Sequence, residues 1–357
     1  MGEDPLAEAD ALIEAGKAAE AVDLLAQWHR AGRGGLLLQS ARVRAAIAAG
    51  DAPSALAIAR EAAGLYPGIA IAAASLGEAL LAGGHLATAI GEFQRALRLD
   101  PGFVPARYLL GSAWLEAGEA DKADEAFAAI APDEAPPALA AKRAEIDAMR
   151  AAARSDARYV RHLFDQFSSD YDARMLGQLS YDAPQILRGL AEMLGLALRR
   201  ALAVLDLGCG TGLAGAAFRD LARRLDGIDL SPAMVEKARA RGIYDDVVVG
   251  DIESMPTGTD YDLILAADTL VYLGDLAPVF RAAADALRFG GAFLFTVERK
   301  DGEGFELGPK RRWRHSENYL REQSEDAGFV VTGFLECHPR NEAGTPVEGY
   351  AVALERQ

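Results

Sequence analysis

Two hydrophobic patterns divide this chain. Up to about residue 150, apolar positions recur three and four residues apart, as amphipathic helices require. The pattern itself repeats, because Gly16, Gly50, Gly84 and Gly118 stand 34 residues apart, as do Ala21, Ala55, Ala89 and Ala123. Paired helices joined by tight glycine turns give such a period. Pro67 and Pro101 keep the register, each placed to end a second helix. From about residue 200 the pattern becomes short apolar runs alternating with helical stretches, which predicts a layered α/β sheet. Strands are expected near 202–207, 224–229, 245–249, 261–267, 291–298, 329–337 and 347–355, with helices between the first five. The last two are joined by a turn containing Asn341 and Gly344, too short for a crossover helix, so the seventh strand must run antiparallel.

In the third repeat unit Leu76, Gly77, Leu80, Ala89, Phe93, Ala96 and Pro101 occupy the positions where packed helices need small or large apolar residues. The fourth unit repeats this with Leu110, Gly111, Trp114, Ala123 and Phe127. These residues resemble the tetratricopeptide repeat, in four units over about 3–136 with a capping helix over about 137–154. Lys142, Arg143 and Glu145 fall on the open side of that helix. The resemblance implies an all-α superhelix over 1–154 with a concave groove. The groove reads either as a site for a protein or peptide, or as a scaffold for docking or self-association. Its alanine-rich lining offers little chemistry, which places catalysis in the second part.

Residues 204–212, VLDLGCGTG, run from a buried strand into a glycine turn. Gly208, Gly210 and Gly212 carry no Cβ, so a ligand can approach their backbone closely. Such turns lie at the carboxyl ends of strands in nucleotide-binding α/β sheets. Dinucleotide-binding proteins space their glycines as G-x-G-x-x-G. The spacing here is G-x-G-x-G behind Asp206, and it resembles the first motif of class I S-adenosylmethionine-dependent methyltransferases. A generic strand-turn-helix and a nicotinamide enzyme are the rival readings. The antiparallel hairpin ending favours the methyltransferase fold, a Rossmann-like domain over 201–357 with a seven-stranded sheet.

Site roles follow from that resemblance. Asp206 would meet the cofactor's ammonium directly or through water, and Asp229 the ribose hydroxyls, its rival role being a helix-capping acid. Ser231 and Pro232 open the next helix as N-cap and first residue. Leu230 and Met234 would face the adenine or else be ordinary core. In GDIESMP, residues 250–256, Asp251 would accept from the adenine amino group and Ile252 offer its amide to a ring nitrogen. The backbone carbonyls of Ala266 and Ala267 would face the ammonium. The F-D-x-F-x-x-x-Y-D pattern at 164–172 resembles an aromatic lid, taken as 155–200, with Tyr171 against the methionine end or packed on the first strand.

On the acceptor side, residues 261–276 lack the Asn/Asp-Pro-Pro-aromatic motif of enzymes that methylate planar amide or adenine nitrogens. Asp268 and Tyr272 would face the acceptor instead, as catalytic candidate and neighbour, or else be a helix cap or a packed aromatic. His315 is the candidate base, with Tyr319 one helical turn on, while the alternative reading has His315 simply finishing a helix start before the N-cap Ser316. Lys310, Arg311, Arg312 and Arg314 form a basic patch that holds an anion or is a solvated loop. The reaction implied moves a methyl group from S-adenosylmethionine, leaving S-adenosylhomocysteine, to an oxygen (hydroxyl or carboxyl) or nitrogen acceptor on a small molecule or a peptide- or carrier-bound substrate. The alternative is a catalytically weak S-adenosylmethionine-binding scaffold whose repeat groove mediates protein–protein interaction.

Charge and composition narrow the partners. A net charge of −16, shared evenly by the two halves, repels phosphate backbones and argues against nucleic acid. Two cysteines are too few for a disulfide framework, and neither a signal peptide nor an uncharged apolar run of membrane-spanning length occurs. A cytoplasmic protein without membrane contact is expected. No cysteine, histidine or acid cluster has metal-ligand spacing, so no metal is expected.

Overall fold

The computed structural model describes residues 4–196, 201–255, 261–308, 311–342 and 344–357, in two units, Met1–Ala151 and Ala152–Gln357. In the first unit, helices α1 (Pro5–Glu14) and α2 (Ala18–Arg30), α3 (Leu36–Ala48) and α4 (Ala52–Leu65), α5 (Ala70–Ala82) and α6 (Leu86–Leu99), and α7 (Val104–Glu116) and α8 (Ala120–Ala128) pack as successive pairs, with α9 (Leu139–Ala151) against α8. The first helix of every pair ends on one of the 34-spaced glycines, at φ between +72° and +78°. That left-handed turn lets the following amide reach back to the helix, as Lys17 does to Leu12 O and His85 to Leu80 O, both at 2.8 Å. Gly77 and Gly111 are notches for rings: a Cβ would lie 2.5 Å from Phe93 at the first and 2.3 Å from Phe127 at the second.

The second unit is built on a sheet ordered β3 (Asp246–Val249), β2 (Ala222–Asp229), β1 (Leu202–Leu207), β4 (Tyr261–Ala266), β5 (Leu287–Arg299), β11 (Gly349–Arg356), β8 (Phe329–Cys337). The first five strands are parallel, and β11 lies antiparallel between β5 and β8, as the short last turn requires. Strand alternation feeds one core on each face. Leu205, Leu207, Phe293 and Phe295 meet Phe280 of α15 (Ala277–Ala286) on one side. Val204, Leu265 and Leu294 meet Phe218 of α13 (Leu213–Phe218) and Leu187 and Leu190 of α12 (Ala183–Met193) on the other.

Of the stretch 155–200 taken as the lid, α12 packs in the sheet core while α10 (Ala157–Phe167) and the single turn α11 (Tyr171–Ala173) come before it, and residues 197–200 lie outside the described ones. Two expectations need correction. Between β3 and β4 the described residues hold only a 3₁₀ turn, Ile252–Ser254, where a helix was expected; Pro256 of the adenine-side motif lies outside them. Finally, β5 runs to Arg299, and its end recruits β7 (Trp313–His315) in parallel, with β6 (Phe305–Leu307) antiparallel to β7. Among the described residues no helix is long and apolar enough to cross a membrane.

Candidate active site

Neighbours β2 and β4 leave β1 on opposite sides, so the carboxyl ends of β1 and β4 open a crevice where strand order reverses. Gly208 and Gly210, at φ +62° and +54°, floor it. Gly208 sits against Thr269, whose Oγ1 donates to Leu207 O at 3.0 Å and leaves no room for a side chain at 208. A Cβ on Gly210 would come within 4.0 Å of the Tyr171 ring, so the bare loop keeps the space beneath the aromatic segment clear.

At the end of β2 the Asp229 carboxylate is 8% exposed and lines the crevice. Its Oδ2 accepts from Gly210 N and its Oδ1 from Ser231 N, each at 2.8 Å. An ionised carboxylate has about four acceptor positions, so two remain for paired hydroxyls. Burial raises its pKa, with the two amides working against that shift. Leu230, Asp251 and Ile252 line the same wall. Asp251 accepts from Glu253 N at 3.1 Å and from Arg154 Nη2 at 2.8 Å, and Arg154 also pairs with Glu253.

Arg154 was invisible in the sequence because its segment reads as a linker. In the fold that segment is an extended stretch tied to the site's opposite wall: Ser155 N donates to Tyr272 O, and the amides of Gly274 and Asp275 donate to Ala153 O, at 2.8–2.9 Å. Ala267 also lines the crevice, its carbonyl accepting from Tyr181 Oη at 3.1 Å. Four aromatic rings complete the walls: Phe164, Tyr171, Tyr181 and Tyr272. Phe164 stands edge-on to both Tyr171 and Tyr272, with ring centres 6.0 and 5.6 Å away.

A second cavity, of about 420 Å³, shares Phe164, Tyr171, Asp268 and Tyr272 with the first. Asp268 sits at the junction with φ +57°, a conformation that costs energy for a residue with a side chain. It is held there by its amide, which donates to Thr296 Oγ1 at 2.8 Å, and by an ion pair with the fully buried Arg340. Arg340 also pairs with Glu298 and, at 3.3 Å, with Glu342. Burial pushes the Asp268 carboxyl up to about 6, while the Arg312 guanidinium acts in the opposite direction. Of the basic patch, Arg312 lines the second cavity, 3.1 Å from Glu342, and Arg311 stacks on Tyr159; Lys310 lies outside the described residues.

Asp206, Gly212, Met234, Ala266, His315 and Tyr319 do not line either cavity. Asp206 shares the strand face of Val204, which points to α13, and its Oδ2 accepts from Tyr244 Oη at 2.7 Å. Buried there, its carboxyl is pushed up to about 7. Gly212 caps α13 and abuts Tyr244 and Arg241. Met234 is fully buried on α14 (Pro232–Arg241), whose N-cap Ser231 accepts from Met234 N at 3.1 Å. His315 stands farthest from its expected role. It is fully buried on β7, its Nε2 donates to Gly274 O at 3.1 Å, and it stacks on Tyr319, whose hydroxyl accepts from Leu276 N at 2.7 Å. Both side chains brace the 274–276 loop from behind, and burial lowers the imidazole to about 4. Ser316 caps α16 (Glu317–Asp326), as the alternative reading of that stretch holds.

Residues 204–291 match the family model described as a methyltransferase domain, and residues 80–146 one described as a tetratricopeptide repeat. Over 146 residues the chain is 28% identical to a malonyl-[acyl-carrier protein] O-methyltransferase of Acetivibrio thermocellus, covering 40% of this chain and 50% of that protein. Over 104 residues it is 34% identical to a ubiquinone biosynthesis O-methyltransferase of Xanthomonas oryzae pv. oryzae, covering 27% and 43%. The chain thus spans about half or less of these curated relatives. The solved magnesium protoporphyrin IX methyltransferase of Synechocystis superposes on 57% of this chain and 100% of its own with a TM-score of 0.47 and 17% identity. Strand order 3-2-1-4-5-7-6 among the seven long strands, the G-x-G-x-G turn at its switch point and the matched segments agree: the chain carries tetratricopeptide repeats followed by a methyltransferase domain of the class I type.

Proposed function

We propose that the second unit binds S-adenosylmethionine in the crevice above Gly208 and Gly210 and transfers its methyl group to an oxygen acceptor in the adjoining cavity. The observation that carries this reading is the character of the crevice: the buried Asp229 carboxylate with acceptor positions to spare, four aromatic rings, and one arginine already engaged by two acids. Aromatic faces and a carboxylate suit a cation, and among the described lining residues the cationic side chain, Arg154, is already paired with Asp251 and Glu253. Bound there, S-adenosylmethionine supplies an activated methyl group on a sulfonium. Asp229 holds the ribose through its two free acceptor positions, Leu230 and Ile252 cover the adenine, and Asp251 receives its amino group. Tyr171 and Phe164 exclude water from the methionine side. The enzyme's contribution is then alignment and handling of the acceptor proton.

O-methylation is the reaction named for both curated relatives above, and it is the acceptor chemistry we assign here. The repeat array is assigned the docking of a protein or carrier, since its own surface brings no catalytic constellation. Calorimetric titration tests the cofactor assignment. S-adenosylmethionine should bind, and Asp229→Ala should weaken it at least about tenfold, because two hydrogen bonds to a charged group are lost. Unchanged affinity in that variant sinks the placement.

A further inference from the structure

The second cavity has a chemistry of its own. Its walls include Tyr159, Phe164, Phe167, Tyr171 and Tyr272, and Asp268 lies where it meets the cofactor crevice. Ring-lined walls favour an aromatic guest, and about 420 Å³ leaves room for a fused two-ring molecule. At the junction the Asp268 carboxylate is paired with Arg340 and keeps acceptor positions to which a hydroxyl can donate. Of the arginines on this cavity, Arg312 is engaged by Glu342. Arg174 is different, because it lies across the Phe167 ring at 4.3 Å, is exposed, and makes no ion pair among the described residues.

We propose, on the methyltransferase reading above, that the acceptor is an aromatic ring bearing a phenolic hydroxyl aimed at Asp268 and a carboxylate or similar anion aimed at Arg174. The phenolic oxygen forms the new bond to the methyl carbon as the methyl–sulfur bond breaks, and that bonding pair stays on sulfur as a neutral thioether. The phenolic proton passes to Asp268, which releases it to solvent after the product leaves. Burial raises the Asp268 carboxyl above the usual carboxylate range, which makes it a better acceptor for a phenol's proton than an exposed acid. Arg340 is a positioning residue, holding Asp268 at its unusual backbone angle from beneath.

The test uses the full chain and three probes: 6-hydroxy-2-naphthoate, its carboxamide 6-hydroxy-2-naphthamide, and 2-naphthoate, which has no hydroxyl. Binding is read by probe fluorescence with S-adenosylhomocysteine present, so no turnover is needed. 6-Hydroxy-2-naphthoate should bind more tightly than the carboxamide, and Arg174→Met should remove about a tenfold advantage while leaving the carboxamide unaffected. With radiolabelled S-adenosylmethionine the product should be the methyl ether. Asp268→Asn should slow transfer about 100-fold at unchanged cofactor affinity, and the deficit should shrink for ring-fluorinated, more acidic phenols, a trend that misfolding would not produce. Methyl ester from 2-naphthoate, full rate in Asp268→Asn, or no binding of any probe to cofactor-competent protein overturns the proposal and leaves the methyltransferase reading standing. Absence of S-adenosylmethionine binding overturns that reading itself.

Discussion

His315 shows how a side chain's role is set by the pairing of its strand. It lies opposite Arg299 in the register of β5 with β7, and strand alternation turns its ring inward between Phe305 and Tyr319. Burial there lowers the folded-state value to about 4 from an ordinary 6.5. Below pH 6.5 the unfolded chain takes up a proton that the folded chain refuses, so this residue's contribution is intact above 6.5 and lost as pH falls toward 4. Between pH 6.5 and 5 the loss is about 1.6 kcal/mol. In urea titrations at the two pH values, His315→Gln should show a correspondingly smaller fall than the parent, and identical falls would refute the assignment. The same logic explains which site residues could be read from sequence. Asp229, Leu230, Asp251 and Ile252 end strands or follow them, where position alone puts them at the crevice. Asp206, Met234 and His315 sit within elements, where the facing partner decides direction, and a linear pattern carries no record of that partner.

At the scale of elements, the seven long strands were legible because each carries a continuous or alternating apolar run, while β6 and β7 are three-residue pieces, FEL and WRH, whose pairing depends on how far β5 extends. Segment 153–155 was equally opaque: it has no apolar pattern and is held through backbone bonds to 272–275. The repeats, by contrast, were written plainly in the 34-residue spacing, and they make a sharp prediction because one substitution has opposite signs at two helical glycines. Ala at Gly77 drives a methyl group to 2.5 Å from the Phe93 ring and should destabilise the first unit by about 2 kcal/mol. Ala at Gly91, exposed on α6 with nothing within 4 Å, should stabilise by about 0.5–1 kcal/mol through helix propensity alone. Thermal unfolding of both variants by circular dichroism checks the pair, and equal shifts would show that the notch does not exist.

For the whole molecule, two units with separate cores, and a cofactor site proposed in the second, imply that cofactor binding is felt by one part of the chain only. The first unit's core consists of successive helix-pair clusters, and the second's of the two faces of one sheet. Repeat arrays draw their stability from nearest neighbours, so a lesion in α5 is absorbed within the array. A ligand that binds only the folded sheet unit at about 100 times its dissociation constant adds about 2.7 kcal/mol to that unit. Differential scanning calorimetry should therefore resolve two transitions. S-adenosylhomocysteine should raise one of them, Gly77→Ala should lower the other, and Asp229→Ala should abolish most of the ligand-induced rise while leaving the array's transition in place. A single transition that moves as one under all three perturbations would mean that the units fold as one cooperative body, and the docking role assigned to the repeats would then have to include direct thermodynamic coupling to the methyl-transfer site.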